Sequence, residues 1–398
     1  MTRALLILSI AIPAFVLVSV IAAIAYGWLR PDKVRQREAA PAAPRFEPVE
    51  LSNTAVLIAC RNGEATIADA VAAAKANGVE VYVVSDASTD GTAARATAAG
   101  AHVLALTENV GKPEALKIAY QRFGLSWLYD AVTILDDDVT IEPGFVAEAL
   151  ALLDDDVAIV VGKNVTLWPE ARRWNVWLAK RAYSYWNYQV IVRRLQSAFN
   201  VMNCISGSNS MYRTTLLDEV LPVAPPYIVD DTYWVLETHR RGLGKVVYAP
   251  RAVAWLQDPT TLRDWYKQNL RWLWGTFQGI IGHRVGRQAS RFDFAYVLLM
   301  FHWLLYVLNG PLTVWLVASA GLGFGRALAW LAAGQLIWLS IAAWRLRLPR
   351  LVLFLPAIVV LDLLYRVIMV HALVKAIRQP TVERCVWTSP PRLSLEGR

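Results

Sequence analysis

The stretch AVTILDDDVTIEPGFVAEALALLDDDVAIVVG, residues 131–162, holds one acidic triplet at Asp136, Asp137 and Asp138 and a second at Asp154, Asp155 and Asp156. Three adjacent carboxylates repel one another, so each run must be solvated or neutralised by a cation. Their settings differ. Residues 131–135 form a short apolar run that reads as a buried strand ending at Asp136. Residues 145–153 have helical spacing after Pro143, with Phe145, Ala149, Leu152 and Leu153 apolar, so the second triplet closes a helix. Anions gain nothing from the negative end of a helix dipole, and this triplet reads as a solvated turn into a strand over 157–162. The first triplet stands at the carboxyl end of a strand, where open α/β sheets place ligands. Only the first reads as chemical.

Outward from it, strands and helices alternate. Strands are expected over 55–60, 81–85, 103–106 and 132–135, with helices over 64–77, 89–99 and 113–123, two of them stopped by Gly78 and Gly100. Such alternation implies an α/β fold with a parallel sheet covered by helices. No G-x-G-x-x-G follows the first strand, which leaves a dinucleotide oxidoreductase without support.

The whole chain is apolar for a soluble enzyme: 56% hydrophobic residues, 17 Trp and a mean hydropathy of +0.35. Residues 5–29 carry no charge and, at about 1.5 Å per residue, can cross a bilayer. A cleaved signal peptide fits less well, because the run is long and no small-residue cleavage site precedes the basic Arg30, Lys33, Arg35 and Arg37. Near the other end, residues 294–325 and 327–344 lack formal charge, and 351–374 hold only Asp362 and Arg366. One membrane helix before the central region and three after it are expected. The positive-inside rule puts Arg30 to Arg37, Arg284 to Arg291 and Arg345 to Arg350 in the cytosol, and the central domain with them. Parity then exports the tail with Lys375, Arg378 and Arg384, in conflict with the same rule. The net charge of +8 follows from these flanks and suits an anionic membrane or a phosphorylated substrate. Nucleic acid is the poorer partner. The three scattered cysteines form neither a disulfide framework nor a zinc pattern, and the five histidines form no ligand cluster.

Strand ends collect polar residues. The second strand runs into Asp86-Ala-Ser-Thr-Asp-Gly-Thr92, where Ser88 or Thr89 can cap the next helix. Asp86 alone is as readily a turn residue as a binding one; together with Asp136 to Asp138 at a second strand end it points to a shared ligand. Asp136 and Asp138 can hold a hard divalent cation between phosphates. Asn109-Val-Gly-Lys112 offers a glycine and a cation, or a plain surface turn.

These pieces, in order, resemble the family 2 membrane glycosyltransferases with a GT-A catalytic domain, the group of cellulose, chitin, hyaluronan and poly-N-acetylglucosamine synthases. The resembling segments are VLIACRNGE (56–64), VVSDASTDGT (83–92), NVGKPEAL (109–116), ILDDDV (134–139), SGSNSMYR (206–213), VDDTYWVLETHRRGLGKVVYAP (229–250) and QNLRW (268–272). The family's usual acidic tripeptides appear here as Val229-Asp230-Asp231 and Asp136-Asp137-Asp138, with the carboxylates kept. The resemblance implies a GT-A (Rossmann-like, mostly parallel sheet) cytosolic domain plus transmembrane helices. The expected divisions are an N-terminal transmembrane helix over 1–30, a linker over 31–50, the GT-A domain over 51–260, an interfacial QxxRW region over 261–292, three transmembrane helices over 293–375 and a tail over 376–398.

The resemblance also implies roles. Asp86, Lys112, Asp136, Asp138, Gln268 and Arg271 would bind a nucleotide-sugar, most simply a UDP-sugar; Asp136 and Asp138 would also hold Mg²⁺ or Mn²⁺. Asp231 matches the position of the catalytic base, which takes a proton from an acceptor hydroxyl in a direct, inverting attack. Ser206, Gly207 and Trp272 would border the acceptor, a glycan or a lipid. Gln268, Arg271 and Trp272 stand at i, i+3 and i+4, on one face of a helix expected over 262–280. A purely interfacial helix with Trp265, Trp272 and Trp274 at headgroup depth is the plainer alternative. The aromatic stretch 168–199 reads mostly as an interfacial helix, with a sugar track as the lesser alternative, and Asp362 with Arg366 as an ion pair between helices or the lining of a polar passage. The expectation is a multi-pass plasma-membrane enzyme extending a β-linked polysaccharide. The alternatives are a single transfer to a lipid, or a catalytically dead membrane binding or transport protein.

Overall fold

A computed structural model of the chain describes residues 49–319 and 323–383. The helix expected over 1–30, nearly all of the linker and most of the tail lie outside them. In chain order the elements are β1 (Thr54–Cys60), α1 (Ile67–Lys75), β2 (Glu80–Ser85), α2 (Thr92–Ala98), β3 (His102–Ala105), α3 (Lys112–Arg122), β4 (Ala131–Asp136), β5 (Val139–Ile141), α4 (Phe145–Leu150) and β6 (Val157–Thr166). There follow α5 (Val176–Asn187), β7 (Asn209–Arg213), α6 (Thr214–Val220), α7 (Asp230–Arg241), β8 (Lys245–Leu256), α8 (Leu262–Gly282), α9 (Arg291–Ser319), α10 (Gly323–Arg345) and α11 (Leu355–Arg378). Short helical turns join several of these.

One eight-stranded sheet runs β3-β2-β1-β4-β7-β6-β8-β5. From β3 to β4 it is parallel, as the alternation predicts. Beyond β4 it departs from that expectation: β7 runs antiparallel to both β4 and β6, and β5 antiparallel to β8. Because β7 is reversed, its first residues meet the carboxyl end of β4, and the Asp136 amide donates to the Ser208 carbonyl at 3.3 Å. The reversal brings residues 206–209 alongside the acidic triplet.

β1 shows why its sequence is continuously apolar. Ala55, Leu57 and Ala59 enter one core, beside α3, α6 and α7; Val56, Ile58 and Cys60 enter the other, beside α1 and α4. A strand buried on both faces cannot alternate in polarity. The helices carry matching end signals. Pro113 opens α3 with Glu114 in the first turn and Arg122 in the last, which complements the dipole. Asn175 caps α5 by accepting from the Trp177 and Leu178 amides at 3.0 and 3.1 Å. Neither Ser88 nor Thr89 caps α2. Asp90 accepts the Thr92 amide instead at 3.1 Å, while Ser88 and Thr89 bond to Asn62. α4 ends at Leu150, so the second acidic triplet lies in a turn: Asp154 and Asp155 are exposed and Asp156 pairs with Lys245.

α8 joins the sheet domain to the apolar helices. Its Trp265, Leu273 and Trp274 pack with Leu361, Ile368 and Met369 of α11. Gly275 of α8 seats on Val229: an added Cβ would stand 2.5 Å from Val229 Cγ2, so only glycine lets α8 lie this close to the start of α7. The stretch 168–199 is helical over most of its length, and several of its polar side chains are buried. A short turn (Glu170–Arg172) comes first, and α5 then runs on without a break through a π-helical segment (Tyr188–Arg193) into a last short helix (Arg194–Ala198). Among the described residues, Arg291–Asn309 and Pro349–Arg378 are long and apolar enough to cross a membrane. The third expected span falls within α10 and is not among them.

Candidate active site

A cavity of about 1560 Å³ opens at the carboxyl ends of β1, β2 and β4 and runs beneath α5 and α8 as far as Tyr306 and Asp362 among the apolar helices. Asp86, Lys112, Asp136, Asp138, Ser206, Gly207, Asp231, Gln268, Arg271 and Trp272 all line it. Residues spread over most of the sheet domain and α8 thus meet in one space.

Asp86 follows β2 and is 4% exposed. Its two oxygens accept from the amides of Val110 and Gly111 at 2.8 and 2.9 Å, so it holds the loop that presents Lys112. Lys112 Nζ reaches Asp136 Oδ1 and donates to the Gly207 carbonyl at 3.0 Å. Burial works against the Lys112 charge, but the carboxylates of Asp136, Asp230 and Asp231 outweigh it and raise its pKa above the ordinary value. Within the triplet, Asp137 is buried and accepts from Cys60 Sγ at 2.9 Å, whereas Asp136 and Asp138 are partly exposed.

Asp230 and Asp231 form the first turn of α7, where the dipole favours anions. Asp231 Oδ2 accepts from the Gly207 amide at 2.9 Å. A Cβ on Gly207 would meet that oxygen at 2.8 Å, so the contact demands glycine. Burial first, then the charge of Asp230, push the Asp231 carboxyl up to about 6; the Gly207 amide, Lys112 and Arg271 pull the other way. A carboxyl tuned towards neutrality beside a cavity is suited to accept a proton.

On α8, Arg271 acts electrostatically on Asp231, while Gln268 and Trp272, one turn apart, both meet Arg181 of α5. Arg181 also pairs with Asp258, and Tyr185 donates to Asp258 at 3.1 Å. Nearby, Lys180 and Arg366 share Asp362 at 3.1 and 3.4 Å, and the Tyr306 hydroxyl donates to the Asp362 carbonyl. Asp362 therefore both ties helices together and lines the cavity. Arg181, Lys180 and Asp258 were not singled out from the sequence. The available signal was an adjacent Lys-Arg pair inside an aromatic helix, on residues flanked by the buried Ala179 and Ala182.

Among the described residues no group of three or more His, Cys, Asp or Glu side chains is arranged to hold a metal. Asp136, which Lys112 engages, and Asp138 are partly exposed carboxylates on the cavity, hard oxygen donors that would need phosphate or water to complete a shell around a cation.

Residues 52–275 match the model described as glycosyltransferase like family 2. The poly-beta-1,6-N-acetyl-D-glucosamine synthase of Staphylococcus aureus (strain COL) is 26% identical over 275 residues, which cover 67% of this chain and 64% of that protein. Hyaluronan synthase 3 of Xenopus laevis is 26% identical over 247 residues, covering 55% and 39%. The chain thus spans just under two thirds of the first of these relatives. In fold it resembles the mannosyltransferase PcManGT from Pyrobaculum calidifontis, solved in complex with GDP-Man and Mn²⁺, with a TM-score of 0.59, 20% identity and coverage of 95% of this chain and 99% of that one.

Proposed function

The chain belongs to glycosyltransferase family 2, and from that premise we propose that it is a metal-dependent, inverting glycosyltransferase that moves a sugar from a nucleotide donor, in the simplest case a UDP-sugar, onto a growing β-linked glycan at the membrane. The observation that carries this reading is the meeting of Asp136 and Asp138, Asp231, and Gln268, Arg271 and Trp272 around one cavity.

Asp231 takes the proton of an acceptor hydroxyl as its oxygen attacks the anomeric carbon. The bond from that carbon to the diphosphate breaks, and the configuration inverts. Gly207 aims the Asp231 carboxylate and Asp230 raises its basicity. Lys112 and Arg271 are the cations that would turn to phosphate oxygens when a donor binds, and Trp272 offers an indole face to a sugar. Asp136 and Asp138 would hold the divalent ion, whose charge when bound offsets the negative charge of the departing diphosphate.

The two apolar segments support a membrane setting, the basic flanks Arg284 to Arg291 and Arg345 to Arg350 support a cytosolic sheet domain, and the divisions stated from the sequence are kept as the proposed organisation. The reach of the cavity to Tyr306, Asp362 and Tyr365 supports an acceptor that leaves or enters among the apolar helices. That same observation is the one that favours the second reading, a single transfer to a lipid acceptor approaching from the bilayer. Reconstituted protein given labelled UDP-N-acetylglucosamine, UDP-glucose or GDP-mannose with Mn²⁺ separates the outcomes. Long lipid-insoluble product degraded by a β-specific hydrolase supports the synthase. One organic-soluble product of fixed size supports the lipid reading, and no diphosphate release with any donor ends both.

A further inference from the structure

Arg181 is 4% exposed, and its guanidinium faces Gln268, Trp272 and Asp258 as well as the Tyr185 ring, 5.4 Å away. Its Nη2 donates to Gln268 Oε1, its Cζ stands 4.7 Å from the centre of the Trp272 ring, and its Nε lies 3.2 Å from Asp258 Oδ1. The Arg181 and Asp258 side chains are only 5% and 1% exposed, so this is a buried ion pair. Such a pair is weak evidence for stability, because desolvating two charges offsets most of their attraction. Its position suggests other work.

A primary amide has one accepting and one donating end. With Oε1 of Gln268 bound by a guanidinium, a flipped amide would set two donors against each other. Arg181 therefore fixes the sense of the amide and leaves the –NH₂ group as the donor available to the cavity that Gln268 lines. A guanidinium plane over an indole likewise holds the ring and covers one of its faces. The opposite face is the one left for stacking. Asp258, itself bonded by Tyr185, keeps the guanidinium in place from behind.

We propose that Arg181, anchored by Asp258, is a positioning residue that sets the amide sense of Gln268 and the plane of Trp272. This rests on the reaction proposed above but is tested partly without it. Arg181→Ala strands Asp258 in the interior and confounds activity with folding, so the informative variants are Arg181→Lys, which keeps the charge but loses the fork, and Arg181→Ala/Asp258→Asn, which removes the pair. With the donor that wild type turns over from the panel above, each lowers kcat about tenfold or more, since small misplacements are costly. In a Gln268→Ala background, Arg181→Lys costs less than about threefold, because much of what it positions is already gone. Hydroxyl-radical footprinting read by mass spectrometry finds Trp272 oxidised several-fold faster in both variants, while the thermal midpoint of Arg181→Lys stays within a few degrees of wild type. Additive losses in the Gln268 background, or kcat within twofold of wild type with unchanged Trp272 oxidation, overturn the assignment. If wild type turns over no donor, the proposed reaction fails and the footprint alone decides: faster Trp272 oxidation upholds the positioning role, and unchanged oxidation ends it.

Discussion

The Gly207 amide and the Asp231 carboxylate are 2.9 Å apart, and the contact closes only because Gly207 has no side chain: a methyl there would stand 2.8 Å from Asp231 Oδ2. Gly207→Ala must therefore push Asp231 aside. Turnover should fall about 100-fold, the scale expected for a small displacement of a reacting group. Steady-state rates together with a thermal melt check this, and a Gly207→Ala protein with wild-type kcat would show that the contact does not matter.

Asp231 stands at about 6, raised by burial and by Asp230, so it can accept a proton only above that region. The rate under low-substrate conditions should rise with pH to a plateau, with an apparent midpoint near 6 that belongs to the Asp230–Asp231 pair. Stability runs the opposite way. A carboxyl whose folded pKa lies above its unfolded value contributes fully below the unfolded value, and that contribution is lost as pH rises through the folded one. Asp231→Asn should abolish transfer, keep nucleotide binding, and gain thermal stability over wild type more at about pH 7.5 than at about pH 5. A pH-independent difference between the two proteins contradicts the raised pKa.

The two acidic triplets should part company on substitution. Asp136→Asn or Asp138→Asn should remove measurable binding of UDP with Mn²⁺ in titration calorimetry. Asp154→Asn and Asp156→Asn should leave it within about twofold, since the Asp156–Lys245 pair is partly exposed and worth at most about 1 kcal/mol. Equal losses from both triplets would mean that strand-end placement is not what matters.

Asp362 balances two cations, Lys180 and Arg366, at 13% exposure. Asp362→Asn leaves both uncompensated and should cost about 3–5 kcal/mol, read as a lower melting temperature in detergent. Lys180→Met/Asp362→Leu/Arg366→Met should recover most of that loss, because apolar replacement of a whole buried network is tolerated better than breaking it. If the triple variant melts no higher than the single one, the cost comes from lost packing instead.

Much of the sheet half was legible in advance because it is built from local signals. β1, β2 and β4 announce themselves as apolar runs, and Gly78 and Gly100 stop the intervening helices near where expected. The reversal of β7 was not legible. Asn209–Arg213 is too short and polar to signal direction, and its pairing with β4 is long-range. Of the residues around the cavity, those in ordered motifs could be named, and they do gather in one space. Arg181 and Asp258 could not, since each is meaningful only opposite the other, 77 positions away in the chain. Reading the 168–199 stretch as mostly an interfacial helix drew attention to its aromatics, whereas Lys180 and Arg181 are buried.

The helix that carries Asp231 in its first turn ends beside another ion pair. Arg240, nine residues on, makes a two-pronged contact with Asp293 in the first turn of α9, and Asp293 is held in turn by Ser290 and the Gly286 amide. At its other end the helix is tied to Gly207. Pinned at both ends and about 18 Å long by its rise per residue, α7 acts as a strut between the sheet and the apolar helices. Asp231 is thereby kept in register by a segment that carries none of the pocket's acidic motif. A chain ending at Gly282 would retain Asp86, Asp136, Asp138, Asp230 and Asp231 and lose the far anchor of the strut, so the smallest unit able to hold Asp231 in place extends into α9.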